Sequence, residues 1–393
     1  MTTNNLIEEY GKEILPTYDR FSLALESGKG ATLKDVEGRK YIDFSSGLGV
    51  NAIGYGNDKW VSAITEQAKK LQHTSNLFYT APGLNLAKRL NAATGMAGAF
   101  FSNSGAEANE GVIKLARKYS FDKYGAGRNK IVTLKNSFHG RTIATLEATG
   151  QEKFHNYFFP FTGGFNYSDL NMDSIRENIK DDVCAVLIEL IQGEGGVYPL
   201  DKGFVRSLRE FCSEKDVLLL IDEVQTGIGR TGTLFAFQQY GILPDAVSFA
   251  KGIAGGLPMG GFLAAAPYRA VLGPGTHAST FGANPICCSA ALAVLDMLDE
   301  KTLSDVNTKG EYIKAAVKKI GSPHIESIRG LGLMLGIQIN DISHLALVKK
   351  LIGNGLVCLT AGLDTIRFLP PLTISYEELD AGLDIFKNTI NNA

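Results

Sequence analysis

The sequence predicts an α/β fold: a mostly parallel central sheet flanked by helices, with a small α+β domain assembled from both chain ends. Three observations point there. Short apolar runs alternate with helix-like stretches between about residues 60 and 300. The runs are bounded by glycine or polar residues, which suits strands buried on both faces. The flanks carry a different pattern, mixed strands and helices without the repeated alternation. At 393 residues the chain also exceeds what one core comfortably holds.

In chain order, residues 28–44 ("GKGATLKDVEGRKYIDF") read as a hairpin turning at 36–39. Strands are expected at 98–101, 131–134, 184–189, 217–221, 246–249 and 262–266. Between the first two, Ala108, Val112, Leu115, Ala116 and Tyr119 share one face of an amphipathic helix. A long helix at 304–320 follows, then strands in "GLMLGIQI" and "TIRFLPPL". The expected division is 1–55 and 304–393 for the two parts of the small domain, and 56–303 for the large one.

Composition narrows the function classes. With a net charge of −2 and no dense Lys/Arg run, the chain lacks a basic footprint for nucleic acid. No apolar run approaches the roughly 18 residues of a membrane span. The start, "MTTNNLIEEYGKE", does not read as a secretory signal, so a cytoplasmic location is expected. Cys184, Cys212, Cys287, Cys288 and Cys358 show no C-x-x-C spacing and read as reduced thiols. The six histidines are scattered, and no metal site is expected.

Residues 218–232, "LLLIDEVQTGIGRTG", contain a G-x-G-x-x-G pattern at 227–232. A dinucleotide turn should open a helix directly after a strand, with an acid about 20 residues on. Here the glycines start five residues beyond Asp222 and fall mid-chain. An ordinary glycine-rich loop is the expectation, and a nicotinamide-dependent oxidoreductase the remote alternative.

Asp222 is more informative. It ends an apolar strand, where ligands of open α/β sheets bind, and could hold a proton on a ligand nitrogen. Alone it would read as an N-cap or a surface acid. Lys251 follows the next strand, "DAVSFA", where its amine could be desolvated and ready to form a Schiff base. In "FFSNSGAEANE", Ser104, Gly105 and Ala106 lead into the amphipathic helix, which makes either a phosphate site or a serine N-cap partnered by Glu107. In "NSFHGRT", Phe138 could cover an aromatic ring and Arg141 could clamp a carboxylate. His139 reads as a packing or hydrogen-bonding residue. Acid, lysine, phosphate cradle, aromatic lid and carboxylate clamp together describe a site for pyridoxal 5'-phosphate.

The chain resembles the class III pyridoxal-phosphate aminotransferases along nearly its whole length, most closely the acetylornithine aminotransferases. The resemblance is carried by "DVEGRKYIDFSSGLGVNAIGYG", "TSNLFYT", "FFSNSGAEANE", "NSFHGRT", "IELIQGEGGVYP", "LLLIDEVQTGIGRTG", "FAKGIAGGLPMGG", "STFGANP" and "IRFLPPL". It implies fold type I, with Lys251 as the Schiff-base lysine and proton shuttle. Asp222 would pair with the pyridine nitrogen and Gln225 with the ring hydroxyl, while Phe138 and Val224 sandwich the ring. Ser104, Gly105 and Ala106 would bind the phosphate, and Glu223 would join the cofactor contacts.

The same resemblance implies a homodimer with active sites at the interface. Thr280 would reach the phosphate of the other subunit, Ser279 its substrate, and residues 76–79 would sit at the same interface. Arg141 would hold the substrate α-carboxylate. Glu194 would gate Arg367, so that one pocket accepts both an acylated ornithine and glutamate. Tyr18 and Leu48 complete the implied substrate contacts. Ornithine δ-aminotransferases carry tyrosine at the position of Leu48, so leucine favours an N-acylated substrate. One departure is Leu190, where many relatives have proline. The implied reaction moves the δ-amino group of N2-acetylornithine to 2-oxoglutarate, a step of arginine biosynthesis. Transamination of succinylornithine, ornithine, 4-aminobutyrate or succinyl-diaminopimelate is the alternative, and a non-catalytic cofactor-binding protein a further one.

Overall fold

The computed structural model describes residues 2–393. Its centre is a seven-stranded sheet made of β1 (Gly98–Ser102), β2 (Lys130–Leu134), β3 (Phe165–Ser168), β4 (Val183–Glu189), β5 (Leu218–Asp222), β6 (Ala246–Phe249) and β7 (Gly260–Ala264). The spatial order is β1-β7-β6-β5-β4-β2-β3. Neighbours from β6 to β3 pair in parallel. β7 pairs antiparallel with both β6 and β1.

The sheet is therefore mixed at one end. β7 ("GGFLA") carries no side-chain pattern that distinguishes parallel from antiparallel pairing, because both its faces are covered. β3 ("FNYS") lies outside the expected strands, since it is a short edge strand with only its last residue buried. β4 and β5 are buried at every position, which explains their unbroken apolar runs.

The helix Gly105–Tyr124 packs across β6 and β7 and buries Ala108, Val112, Leu115 and Ala116. Its face is the one the sequence periodicity marks. The carboxyl ends of β1, β2, β4, β5 and β6 share one edge of the sheet, so the loops leaving them converge there.

Both chain ends meet beside this sheet. Thr32–Asp35 and Lys40–Asp43 form an antiparallel hairpin, and Leu356–Val357 adds in parallel to Lys40–Asp43. A second sheet orders Ile325–Leu331, Met334–Ile339, Thr365–Phe368 and Leu359–Ala361, all antiparallel. The Phe44 ring meets Phe368 edge-on at 5.0 Å, and Phe368 meets Phe386 at 5.4 Å. Aromatic pairs of this kind add about 1 kcal/mol each beyond area burial. The C-terminal helix Tyr376–Asn391 lies so close to Phe44 that a Cβ at Gly382 would overlap the ring.

The N-terminal helix Thr3–Glu13 was not legible as an element, and none of its residues is buried. All five cysteines are free thiols. No helix of the described residues is long and apolar enough to cross a membrane.

Candidate active site

At the converging strand ends lies a cavity of about 400 Å³. β1 delivers Ser104, Gly105 and Ala106 to its wall, β5 delivers Asp222, Val224 and Gln225, and β6 delivers Lys251. These separated stretches of sequence share one space because consecutive parallel strands end on the same edge.

Ser104 is the N-cap of the helix Gly105–Tyr124: its Oγ accepts the Glu107 N–H at 3.2 Å. The Glu107 carboxylate reaches back to the Asn103 N–H at 2.9 Å. Gly105 and Ala106, in the first helical turn, have no intrahelical acceptor for their N–H groups. A Cβ at position 105 would lie 2.6 Å from Val224 Cγ1, so only glycine lets this turn and Val224 approach each other. The result is a set of amide donors at the positive end of a helix dipole, an anion site by construction.

Asp222 is buried, and all of its partners donate. Its Oδ2 accepts from Asn109 Nδ2 at 2.7 Å and from His139 Nδ1 at 2.8 Å. Its Oδ1 accepts the Val224 N–H at 3.0 Å. Lys251 reaches the cavity from a left-handed backbone conformation, φ +45°, which costs a non-glycine residue about 1–2 kcal/mol. Burial pushes its ammonium below the ordinary lysine value, while Glu194 pulls the other way and Arg367 adds to the lowering. A less basic amine at the centre of a cavity is suited to act as a nucleophile and as a proton carrier.

Phe138 is half-buried on the wall, its N–H donating to Glu189 Oε2 at 2.9 Å. Glu189 Oε1 also accepts the Gly193 N–H at 3.3 Å, and burial pushes its carboxyl upward. Arg141 stands exposed at the mouth, its guanidinium 4.2 Å from the centre of the Phe154 ring. Among the described residues it has no carboxylate partner, so the cation is free for a ligand.

Arg367 is fully buried on the strand Thr365–Phe368, with Nη1 2.5 Å from Glu194 Oε1. The same nitrogen donates to Gln225 Oε1 at 3.1 Å. Burial raises the Glu194 carboxyl, but the Arg367 charge and hydrogen bond, with Lys251 and Gln225, outweigh it and hold the group below its ordinary value. Gln225 therefore joins the cavity wall to this ion pair.

Other expected residues are not on this wall. Glu223 turns away: its carboxylate accepts the N–H groups of Ala236 and Phe237 at 2.6 and 2.7 Å and anchors the loop after β5. That corrects its place among the cofactor contacts, because side chains alternate across a strand end and Asp222 already faces the cavity. Tyr18 is exposed beneath Arg20, 5.2 Å from its guanidinium, and does not line the cavity. Leu48 is exposed at the tip of a turn where Ser46, Gly47, Leu48 and Gly49 all have positive φ. Thr280 is exposed, and Ser279 Oγ accepts from Asn103 Nδ2 at 3.2 Å, so their loop abuts the site without entering it.

The glycine pattern at 227–232 opens no helix. Arg230 within it is buried, and its Nη1 donates to the carbonyls of Leu333 and Pro370 at 3.0 and 2.5 Å. Gly229 packs against Leu372, where a Cβ would lie 2.9 Å from Cδ1. The loop is a joint to the C-terminal segment, which leaves no cradle for a pyrophosphate.

Sequence reasoning missed Asn109 and Glu189 on the cavity wall. Asn109 carries the one readable signal, an amide on the buried face of an amphipathic helix. Leu190, in place of the proline of many relatives, is buried and carries its strand into a short hairpin between Ile191–Gln192 and Tyr198–Pro199.

The sequence profile of the family described as Aminotransferase class-III matches residues 15–390. The chain is a class III aminotransferase. The acetylornithine aminotransferase of Haemophilus ducreyi is 48% identical over 395 residues, covering 100% of each chain. The succinylornithine transaminase of Yersinia pseudotuberculosis is 41% identical, covering 96% of this aminotransferase and 94% of its own length. A structure of the ornithine aminotransferase of Toxoplasma gondii, which has partial occupancy of PLP at its active site, superposes with a TM-score of 0.96. It shares 30% identity and covers 100% of this chain and 94% of its own.

Proposed function

We propose that this aminotransferase uses pyridoxal 5'-phosphate to move the δ-amino group of N2-acetylornithine to 2-oxoglutarate, giving N-acetylglutamate 5-semialdehyde and glutamate. The observation that carries the reading is the Glu194–Arg367 pair standing beside a cavity that holds Lys251 and Asp222. Full-length similarity to the Haemophilus ducreyi enzyme supports the choice of substrate.

The residues fit the cofactor on three counts. Position 105 has no room for a Cβ, which keeps the Gly105 and Ala106 amides open to a phosphate. Asp222 has donors on both oxygens and one acceptor position left on Oδ1. Lys251 is an amine of lowered basicity. When bound, the cofactor supplies an aldehyde that captures amines and a ring that accepts electrons.

Each residue has a defined task in this reading. Lys251 Nζ would hold the cofactor and, once freed by substrate, carry a proton. Asp222 would accept the ring N–H, Phe138 and Val224 would flank the ring, Gln225 would meet its hydroxyl, and Ser104 would assist the amides at the phosphate. Arg141 holds the α-carboxylate of the acylated donor. With glutamate as donor, Glu194 leaves Arg367, which takes that second carboxylate. Paired, the two charges suit a neutral acyl tail, because an unpaired buried cation would be penalised.

The reading includes a division at 1–55, 56–303 and 304–393, a cytoplasmic location and a homodimer. Asn76 Nδ2 donates to the carbonyls of Ser279 and Gly282 at 3.1 and 2.8 Å, joining two loops that expose Leu77, Phe78, Tyr79 and Phe281. Such a joined apolar patch favours burial against a second copy. Thr280 and Ser279 would then serve the other subunit's site. Tyr18 and Leu48 would act at the substrate entrance.

The test is amino transfer to 2-oxoglutarate from N2-acetylornithine, N2-succinylornithine and ornithine at equal concentration. Fastest transfer from N2-acetylornithine, by a protein whose visible band it bleaches, is the expected result. A colourless protein overturns the cofactor assignment. Faster transfer from either other amine overturns the substrate assignment.

A further inference from the structure

In the cavity wall, Asp222 is held by two buried side chains beside it. Asn109 and His139 both donate to Oδ2, and the Val224 N–H takes one position on Oδ1. A carboxylate offers about four acceptor positions, so one remains, on Oδ1.

Asn109 is itself fixed on both ends. Its Nδ2 also donates to the His139 carbonyl at 2.7 Å, and its Oδ1 accepts from Ser248 Oγ at 2.6 Å. The Asp222 carboxylate and the His139 carbonyl can only accept, which settles that Nδ2 faces them and that Oδ1 takes the Ser248 hydroxyl. Asn109, His139, Asp222 and Ser248 are all buried. A buried asparagine inside a helix brings poor helix propensity and a desolvated amide, and is stable there only with its bonds made.

We propose that Asn109, oriented by Ser248, is a positioning residue that occupies Oδ2 of Asp222 together with His139. This leaves Oδ1 with the one free acceptor position, which the ring N–H of a bound cofactor would fill. The assignment rests on the functional reading above. Without the amide, Oδ2 loses one of its two donors and the carboxylate is free to rotate. The contact to the ring N–H then weakens, although Asp222 itself is unchanged.

The test uses the full-length protein stripped of cofactor and titrated with two probes. One is pyridoxal 5'-phosphate, and the other is its 1-deaza analogue, in which a C–H replaces the ring nitrogen. Asn109→Ala is expected to weaken binding of pyridoxal phosphate by about tenfold or more, the worth of a hydrogen bond to a charged group. Binding of the deaza analogue should change less than about twofold. Ser248→Ala, which removes only the outer hydroxyl, should show the same asymmetry at about threefold.

Equal losses on both probes, or none on either, overturn the proposal while leaving the functional reading in place. Wild-type protein that binds the two probes equally, or binds neither, overturns the functional reading and the proposal with it. Should Asn109→Ala not fold, the Ser248→Ala pair of titrations decides alone, by the same asymmetry.

Discussion

Arg367 and Glu194 are held 2.5 Å apart, one fully buried and the other about a third exposed. The asymmetry defines which partner can move. Arg367 is a strand residue with neighbours on both sides, whereas Glu194 lies in the glycine-flanked turn "GEG". An ion pair with one rigid and one mobile member can act as a gate.

Glu194→Gln leaves Arg367 without its counter-charge. Single-turnover rates are expected to fall about tenfold for N2-acetylornithine, whose neutral end must then face an unpaired cation. The rate with 2-oxoglutarate or glutamate should hold or rise. Arg367→Ala should reverse this pattern, and stopped-flow half-reactions read both.

Lys251→Ala removes the only lysine on the cavity wall among the described residues. Turnover is expected to drop by about a thousandfold or more, as loss of a positioned proton carrier does. Mass spectrometry after borohydride reduction should show cofactor mass retained by the wild type and absent from the variant. Retained mass in Lys251→Ala would place the attachment elsewhere.

Gly105→Ala puts a methyl group 2.6 Å from Val224 Cγ1. The helix N-terminus must then shift, at about 1–3 kcal/mol. Because the shifted groups are the phosphate donors, affinity for pyridoxal 5'-phosphate should fall more than affinity for pyridoxal. Equilibrium titration of both, beside a thermal melt, separates the local effect from general destabilisation.

Glu223 gives the fold a pH dependence. Burial pushes its carboxyl from 4.5 up to about 7, against the hydrogen bonds from Ala236, Phe237 and Thr226. Between those values the folded state binds more protons than the unfolded state, so stability falls as pH rises from about 4.5 to 7 and then levels. The loss is about 3 kcal/mol. Glu223→Gln should be less stable than wild type at pH 5, with the gap narrowing by about that amount at pH 8. Urea melts at the two pH values check this, and a constant gap would contradict it.

Much of the architecture was legible because parallel strands write themselves as short apolar runs. β4, β5 and β6 lie within a residue or two of their expected positions, and Asp222 and Lys251 stand at the strand ends where alternation puts them. The direction of β7 was not legible, since a strand buried on both faces carries no mark of pairing direction. Glu223 was misjudged for a related reason. Adjacent acids at a strand end look alike in sequence, but the chain turns them to opposite sides.

By itself the sequence determined the family, the alternation of strands and helices, and which side chains end on the ligand-binding edge. Those follow from local patterns of burial and from motifs a few residues long. The resemblance already paired Glu194 with Arg367, but only the tertiary structure decided that Asn109 and His139 converge on Asp222 and that the glycines at 227–232 dock on the C-terminal segment. Each of these joins residues far apart in the chain. A hydrogen bond between them depends on positions set by the whole packed core, and no local pattern encodes it.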